Sequence, residues 1–259
     1  MPRNARKKSD SRIYHVILRG INKQVIFEDD EDHFSFLDKL ANCQLKSSFE
    51  LYAYCLMSNH IHLLLKEGHE ELGITFRRIG SSFVPWYNCK YQRVGHLFQD
   101  RFKSEAVEDD SYFLTVLRYI HQNPLKAGVV KKIQEYPWTS YREYSHKPVI
   151  CNTEFALNFF SPDRDEAKKL WIKFIQAQND DTSMEYDDNS RMSDSEAVEV
   201  FKAITKTNNP SEVQFFDPNK IERMIRLLIK NGLTLSQIAR LSGLTYGAVR
   251  SIKNNDPEY

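Results

Sequence analysis

The sequence predicts an α+β protein: a ferredoxin-like split βαβ antiparallel sheet with helices on one face, plus a small all-α C-terminal domain. Strand-like and helical patterns follow the order β-α-β-β-α-β-α up to Gln122, and the first six elements match the split βαβ topology. A separate set of helix caps after an acidic stretch predicts the second domain. We place a main domain at 1–150, a helical extension with an acidic linker at 151–211, and a helix-turn-helix module at 212–259.

Composition indicates a globular protein. Of the 259 residues, 41% are hydrophobic and 12% aromatic. No apolar run approaches the ~20 residues that span a membrane, and the basic N-terminus lacks the apolar segment of a signal peptide. The four cysteines are far apart, which favours free thiols in a reducing compartment. We therefore expect a cytoplasmic protein with no membrane partner.

The charge pattern predicts a polyanionic partner. The net charge is only +1, yet residues 1–23, 77–103 and 220–253 carry seven, six and seven basic side chains, each against a single acid. The acids concentrate in 180–199 instead. Three basic segments on a near-neutral chain suggest a path for nucleic acid, although ordinary solvated surface is the alternative for any one of them.

The first half of the main domain is predicted from periodicity. The first strand is largely apolar on both faces, which is typical of a central strand. Helical spacing follows, with candidate core positions at Phe34, Leu37, Leu40 and Leu45. Two runs of β-forming residues joined by a short turn then predict an antiparallel hairpin. In chain order these elements are a strand at 12–19, a helix at 28–46 and strands at 50–57 and 60–66.

The second half carries two helices that contain prolines. We expect Pro85 to kink or split the helix predicted at 70–91. A fourth strand at 101–107 leads to a helix at 111–122, which should end before Pro124.

The third strand carries a pair of histidines. Because strand side chains alternate between faces, His60 and His62 point to the same side. Two imidazoles on one face can bind a single divalent cation. Two polar positions on a half-exposed strand are the alternative interpretation.

The last helix of the main domain presents a phenol and an amide. Its core stripe runs from Phe113 to Ile120 with i, i+3, i+4, i+7 spacing, and Tyr119 lies at the edge of that stripe. Asn123 is one turn further along the same side, so both side chains can face the sheet. A boundary tyrosine and a helix C-cap are the alternative.

Four short segments of the main domain stand out by their residues and by their order along the chain. They are His60-Ile61-His62, LFQDRFK at 97–103, RYIHQNPLKAG at 118–128 and YPWTSY at 136–141. Together they resemble the single-tyrosine HUH transposases, most closely the branch called REP-associated tyrosine transposases. The resemblance covers about residues 11–145. The His60/His62 pair and the Tyr119/Asn123 pair occur in the same order along the chain as in the family.

The resemblance implies a role for each matching residue. It makes Tyr119 the nucleophile, His60 and His62 metal ligands, and Asn123 the third ligand. It implies cleavage and transfer of single-stranded or hairpin DNA through a 5′-phosphotyrosine, with a divalent metal. Mg²⁺ or Mn²⁺ is favoured, although the imidazoles also suit Ni²⁺ or Zn²⁺. Such a protein would be associated with the nucleoid, and its oligomeric state stays open.

Basic and polar residues in the main domain are candidates for contacts with DNA phosphates and bases. They are Arg12, Arg19, Asn22, Lys23, Arg77, Arg78, Arg101 and Lys103.

The C-terminal module has the signals of a helix-turn-helix. Asp217-Pro218 begins a helix, Thr234 and Gln237 form a capping box, and Thr245 caps a last helix. Thr245, Tyr246 and Arg250 would then face the major groove of duplex DNA, whereas a three-helix interaction module is the alternative. We expect truncation after about residue 180 to leave a folded, cleaving protein.

Three functions are compatible with these residues. The first is a metal-dependent DNA transposase and nuclease that forms a tyrosyl intermediate. The second is a non-catalytic DNA-binding regulator. The third is a metal phosphodiesterase that uses water, with Tyr119 as a bystander.

Overall fold

The computed structural model describes residues 8–184, 194–207 and 209–254. The chain divides into two compact units, with the boundary between Tyr186 and Asp187. The start of the first basic segment and the middle of the acidic stretch lie outside the described residues. No helix in the described ranges has the length and apolar character needed to cross a membrane.

A four-stranded sheet forms the centre of the first unit. Its order is β2-β3-β1-β4, and every pairing is antiparallel. This is the split βαβ arrangement, because β3 lies between the two strands that the first helix connects. The α+β class and the sheet topology are confirmed. The strands are β1 (Ile13–Arg19), β2 (Glu50–Met57), β3 (His60–Lys66) and β4 (Lys103–Ala106).

Helices cover both faces of this sheet. The described part of the unit contains α1 (Asp30–Ser47), α2 (Leu72–Lys90), α3 (Asp110–Lys126), α4 (Tyr141–Ser145), α5 (Thr153–Leu157) and α6 (Arg164–Gln176). The α1 and α2 helices share a core with Val16 and Leu63, whereas α3 shares one with Cys55 and Leu64. The predicted packing of the split βαβ helices on one face is therefore confirmed for α1 and α2, and α3, the element that follows them, packs on the opposite face.

Two helices continue past a proline: α2 is not split at Pro85, and α3 does not end before Pro124, where the prediction is wrong. Pro85 is within α2, where Phe83 and Tyr87 are buried on either side of it. Pro124 is within α3, where the Ala127 N–H donates to the Asn123 carbonyl at 2.9 Å. A proline removes one backbone donor, and packing on the core or a hydrogen-bonded next turn offsets that loss.

The first unit extends beyond its predicted boundary at residue 150. Trp171 of α6 is fully buried and stacks on Tyr144, with ring centroids 4.5 Å apart. Gln122 of α3 donates to the Ile175 and Ala177 carbonyls at 2.7 and 3.0 Å. Apolar packing and these hydrogen bonds therefore join 151–184 to the sheet domain.

The second unit has its own apolar core. Phe201, Ile225, Leu228 and Val249 are fully buried within it. Its described helices are α7 (Asp194–Thr205), α8 (Pro218–Lys230), α9 (Leu235–Ser242) and α10 (Tyr246–Asn254). The α7 helix packs in this core, so the predicted start at 212 is also too late.

The caps predicted for the second unit are present. Thr234 and Gln237 form the capping box at the start of α9. Gly243 ends that helix with φ of 76°, a left-handed conformation that glycine adopts without steric penalty. A three-residue turn leads to α10, as a helix-turn-helix requires.

Arg78 has a structural role in the first unit. Its guanidinium donates to both carboxylate oxygens of Glu70, at 2.5 and 2.7 Å, and to Ser47 Oγ. These hydrogen bonds from Arg78 and Ser47 lower the pKa of Glu70 from 4.5 to about 2. The carboxylate therefore contributes stability above pH 4.5, and that contribution is lost as the pH falls through about 2.

We expect Arg78→Gln to lower the thermal unfolding midpoint at pH 7, because Glu70 loses its ionic partner. The difference from the unmodified protein should shrink as the pH approaches 2, where Glu70 becomes protonated. Thermal unfolding across this pH range measures both effects. Arg77→Gln is the matched control. Arg77 is next to Arg78 in the chain but is exposed, so its replacement should change the unfolding midpoint little. Equal midpoints for the two variants at pH 7 would contradict the role of Arg78.

Candidate active site

The two histidines of β3 lie on the sheet face that α3 covers. The Ser58-Asn59 turn brings the chain into β3, where His60 pairs with Arg19 and His62 with Ile17 of β1. The two imidazole centroids are 4.9 Å apart and the rings are nearly perpendicular, at 83°. The alternation predicted from the sequence therefore places both rings at one location.

A neighbouring side chain contacts the Nδ1 atom of each ring. Asn59 Oδ1 lies 2.7 Å from His60 Nδ1, and His15 Nε2 lies 3.0 Å from His62 Nδ1. Burial, followed by the charges of His60 and His15, lowers the pKa of His62 well below 6.5. His62 is thus a neutral imidazole, the form that binds metals, and its Nε2 faces away from His15.

Tyr119 and Asn123 approach the same histidines from α3. The Tyr119 ring centroid is 5.7 Å from that of His62, and Asn123 Nδ2 lies 3.4 Å from His62 Nε2. Tyr119 is 3% exposed, and Lys126 Nζ lies 5.5 Å from its ring centroid. The structure therefore brings together the four residues that the sequence assigned to catalysis and metal binding, with a cation beside the phenol.

His15 is a member of this site that the sequence analysis missed. It is fully buried on the central strand, and its ring stacks on His62 with centroids 5.2 Å apart. Burial lowers its pKa to about 3, so the ring is neutral. On the strand face that carries Ile13 and Ile17, His15 is a polar residue between two apolar ones. That departure from the apolar pattern is the sequence feature that could have identified His15.

The donor set fits a divalent metal. Two imidazole nitrogens and one amide oxygen, from His60, His62 and Asn123, form a mixed set that leaves positions for phosphate oxygens and water. The amide of Asn123 must turn to present Oδ1, and which atom faces His62 is an assignment from hydrogen bonding. Among the described residues, no group of three or more His, Cys, Asp or Glu could hold a metal. A site here therefore depends on the amide.

Some of the predicted DNA-binding residues lie near the histidines. Arg19 pairs with His60, and Lys103 of β4 pairs with Ile17, which places both on the histidine face. Asn22 and Lys23 form the turn after β1, and Asn59 Nδ2 donates to the Lys23 carbonyl at 3.3 Å. This end of the sheet thus combines the histidines with basic side chains.

Other predicted DNA-binding residues lie elsewhere. Arg12 is at the opposite end of β1, where Nε is 4.0 Å from Glu67. Arg77 and Arg78 are on α2, against the other sheet face, and Arg101 is in the loop before β4. The structure does not bring Arg12, Arg77 and Arg78 to the histidines, whereas the Arg101 loop runs beside Arg19, where the Gln99 N–H donates to the Arg19 carbonyl at 2.8 Å.

The three DNA-binding candidates of the second unit are exposed. Thr245 accepts from the Ala248 N–H at 3.3 Å and so caps α10, while Tyr246 is 50% exposed. Arg250 is one helical turn after Tyr246. Duplex recognition by these residues stays a prediction.

Comparison with known proteins agrees with the arrangement of the first unit. Residues 8–123 match the family described as "Transposase IS200 like", and this range contains every histidine, tyrosine and asparagine of the site. The second unit lies outside that match.

Two curated proteins are similar over part of the chain. A Haemophilus influenzae protein described as a REP-associated tyrosine transposase is 30% identical over a 105-residue alignment, which covers 36% of this chain and 59% of that protein. The REP-associated tyrosine transposase of Escherichia coli K12 is 26% identical over 95 residues, or 36% of this chain and 54% of its own length. The chain thus spans little more than half of either relative.

The fold is also found in a solved structure. It is a REP-associated tyrosine transposase bound to a REP hairpin, with 18% identity and a TM-score of 0.50. The superposition covers 57% of this chain and 88% of that one.

Proposed function

We propose that this protein cleaves and joins DNA strands through a covalent bond to Tyr119, because residues 8–123 match the IS200-like transposase family. The substrate class is single-stranded DNA, and hairpin-forming repeats in particular, since the solved relative is bound to a REP hairpin. This keeps the first of the three functions that the sequence allows.

The convergence of α3 on the histidine strand carries the proposal. Asn123 and His62 are 61 positions apart in the sequence, yet their side chains approach within 3.4 Å. Tyr119, one helical turn before Asn123, lies against the same imidazole. A phenol placed beside two imidazoles and an amide has a nucleophile and a phosphate-binding centre in one location.

The chemistry proceeds by transesterification. Tyr119 Oη attacks the scissile phosphorus, so the Oη–P bond forms and the P–O3′ bond breaks. The phenol releases its proton, and the departing 3′-oxygen takes one up. The products are a 5′-phosphotyrosine and a free 3′-hydroxyl. One phosphodiester replaces another, so a second 3′-hydroxyl can reverse the step on a new strand without ATP.

The residues around Tyr119 supply binding and charge. His60, His62 and Asn123 would hold a divalent metal, with Mg²⁺ or Mn²⁺ favoured. When bound, such a metal offsets negative charge that develops on the phosphate oxygens. Lys126, with Nζ 5.5 Å from the Tyr119 ring centroid, places a positive charge beside the proposed nucleophile. Arg19 and Lys103 extend the positive surface along the same sheet face.

A covalent adduct assay tests this function. Hairpin DNA labelled at its 3′ end is incubated with the protein and Mn²⁺, and the products are separated on a denaturing gel. The proposal predicts a labelled species at the size of the protein plus the 5′-phosphorylated fragment. Cleavage without any adduct would favour water as the nucleophile and would leave Tyr119 as a bystander.

One observation favours the second function. Tyr119 is only 3% exposed, so its hydroxyl must become accessible before a phosphate can reach it. A non-catalytic DNA-binding regulator needs no such access. Tight hairpin binding with neither adduct nor cleavage in Mn²⁺ would establish that alternative.

We propose that the second unit binds duplex DNA through α10. Its exposed Tyr246 and Arg250 follow the capped start of that helix, as recognition residues do in helix-turn-helix proteins. The unit has a buried core of its own, so we expect its helices to fold without the first unit. The proposed division of labour is cleavage in the first unit and duplex binding in the second.

A shortened chain tests this division. Because Asp181 contacts Arg118 of α3 and Ser183 contacts His15 of β1, the cut belongs after residue 186 rather than after 180. Residues 1–186 should fold and cleave but bind duplex DNA more weakly, with a smaller salt dependence.

In the full chain, Arg250→Gln should reduce the salt slope by about one unit, as expected for one lost phosphate contact. Duplex binding across a salt series measures both, with Lys202→Gln on α7 as the control. Unchanged duplex binding by residues 1–186 would contradict the assignment.

A further inference from the structure

A chain of polar contacts runs from the metal-binding histidine to the edge of the sheet. His62 Nδ1 lies 3.0 Å from His15 Nε2, and His15 Nδ1 lies 3.0 Å from Ser183 Oγ. Ser183 Oγ is 3.4 Å from the hydroxyl of Tyr112, and that hydroxyl donates to Glu105 Oε2 at 2.5 Å. The chain thus begins at a proposed metal ligand and ends on a carboxylate.

The donors and acceptors in this chain admit one consistent order. The Glu105 carboxylate only accepts, so Tyr112 donates to it and accepts from Ser183. Ser183 then accepts from His15, whose proton is on Nδ1. His15 Nε2 is therefore an acceptor, and the proton between the two rings belongs to His62 Nδ1.

The Asn123 amide lies on the opposite side of His62, 3.4 Å from Nε2. With the proton on Nδ1, His62 keeps the lone pair on Nε2, which is the nitrogen on the Asn123 side. That is the tautomer that can bind a metal there.

We propose that His15 is the positioning residue for His62, and that Ser183, Tyr112 and Glu105 set the tautomer of His15. The proposal rests on the function proposed above, since it assigns the residues behind one ligand of that site. Ligating histidines generally donate their second N–H to an outer partner, which fixes the ring orientation and raises its basicity. Here a second imidazole takes the place of the usual carboxylate or carbonyl.

The sheet and the segment 177–184 hold this chain in place. His15 and Glu105 are register partners on β1 and β4, so both lie on the histidine face. The 177–184 segment crosses α3, where Arg118 Nε donates to Asp181 Oδ2 at 2.5 Å. The Met184 N–H donates to Glu105 Oε2 at 3.2 Å. Ser183 therefore lies between two anchored neighbours, which explains why this acidic end of the first unit packs on the sheet.

Replacement of His15 tests the proposal. His15→Phe keeps a planar ring in the buried strand but removes the acceptor, whereas His15→Gln offers an amide oxygen in its place. We expect His15→Phe to weaken Mn²⁺ binding by about 10- to 100-fold, the usual effect of removing an outer partner of a ligand. His15→Gln should recover part of that loss. Mn²⁺ affinity is measured without DNA by the electron paramagnetic resonance signal of the free ion.

Nitrogen NMR of the metal-free protein reads the tautomer directly. The ¹⁵N shifts of His62 should show the proton on Nδ1 in the unmodified protein and a mixture of tautomers in His15→Phe. Ser183→Ala changes a residue of the 177–184 segment, so the fold should be kept while the ¹⁵N shifts of His15 change. This variant tests the proposal even if His15→Phe does not fold. Wild-type Mn²⁺ affinity in a folded His15→Phe protein, or a proton on His62 Nε2 in the unmodified protein, would overturn the proposal.

These readouts are separate from the test of DNA cleavage. Neither Mn²⁺ affinity nor the His62 tautomer requires Tyr119 Oη, so both should be unchanged in Tyr119→Phe. A protein that shows the predicted tautomer and metal affinity but forms no adduct would support the positioning role while the proposed reaction fails. If the unmodified protein forms the adduct but His15→Phe keeps wild-type Mn²⁺ affinity, the proposed reaction is supported and the positioning role of His15 fails.

Discussion

Tyr119→Phe is expected to abolish formation of the covalent protein–DNA adduct while leaving hairpin affinity nearly unchanged. The substitution removes Oη, the proposed attacking atom, and keeps the ring that packs against His62 and His15. Loss of a covalent nucleophile lowers turnover by ~10⁴-fold or more in enzymes where this has been measured. Adduct yield on a denaturing gel and hairpin binding without metal measure the two quantities.

A second tyrosine provides the matched control for this experiment. Tyr87 of α2 lies against the opposite sheet face, where its hydroxyl donates to the Val25 carbonyl at 3.2 Å. Tyr87→Phe removes one phenolic oxygen of the same chemical type, so it should still form the adduct. If Tyr119→Phe forms the adduct as Tyr87→Phe does, another residue is the nucleophile.

His60→Ala and His62→Ala are each expected to abolish Mn²⁺ binding and cleavage together. Either change reduces the proposed ligand set to one imidazole and one amide, too few protein ligands for an open site of this kind. We expect Mn²⁺ affinity to fall by more than the ~10- to 100-fold that outer partners contribute. The free-ion resonance signal measures affinity, and the adduct gel measures cleavage.

The two histidine variants should differ in stability. His62→Ala leaves His15 Nε2 buried without its partner, and an unsatisfied buried group costs about 1–3 kcal/mol. His60 is only half-buried, so His60→Ala should unfold close to the unmodified midpoint and is the cleaner test. His69→Ala replaces an exposed histidine outside the site and should retain binding and cleavage. Normal cleavage by His60→Ala in Mn²⁺ would exclude this metal site.

Local patterns accounted for much of the fold. The period-two alternation of β3 placed His60 and His62 on one face, and the structure has both rings there. Turn and cap signals located the β2–β3 hairpin and the starts of α8 and α9 within a residue or so. These signals succeed because they depend on neighbours in the chain.

Properties set by tertiary packing were predicted less well. In α1, Leu40 is fully buried as predicted, but Phe34 and Leu45, also expected in the core, are 63% and 83% exposed, and Phe36 is fully buried in their place. Helical spacing allows either stripe, and the position of the sheet decides between them. The same limitation hid the placement of α3 on the second sheet face.

The residues behind the proposed metal ligand, His15 and Ser183, could not be predicted from local sequence patterns either. His15 on an apolar strand looks like a core residue until the strand order places it beside His62. Ser183 lies in an acidic stretch that resembles a linker, and only its packing near α3 and β4 brings it to His15. A residue that acts through another residue leaves no spacing pattern of its own.

The covalent bond to Tyr119 is the central claim, and peptide mapping of the adduct tests it most directly. The protein is incubated with hairpin DNA and Mn²⁺, digested with nuclease and protease, and analysed by mass spectrometry. The account predicts a nucleotide phosphate on the peptide that contains Tyr119, joined to its phenolic oxygen. A nucleotide on any other residue, or cleaved DNA with a free 5′-phosphate and no modified peptide, would contradict it.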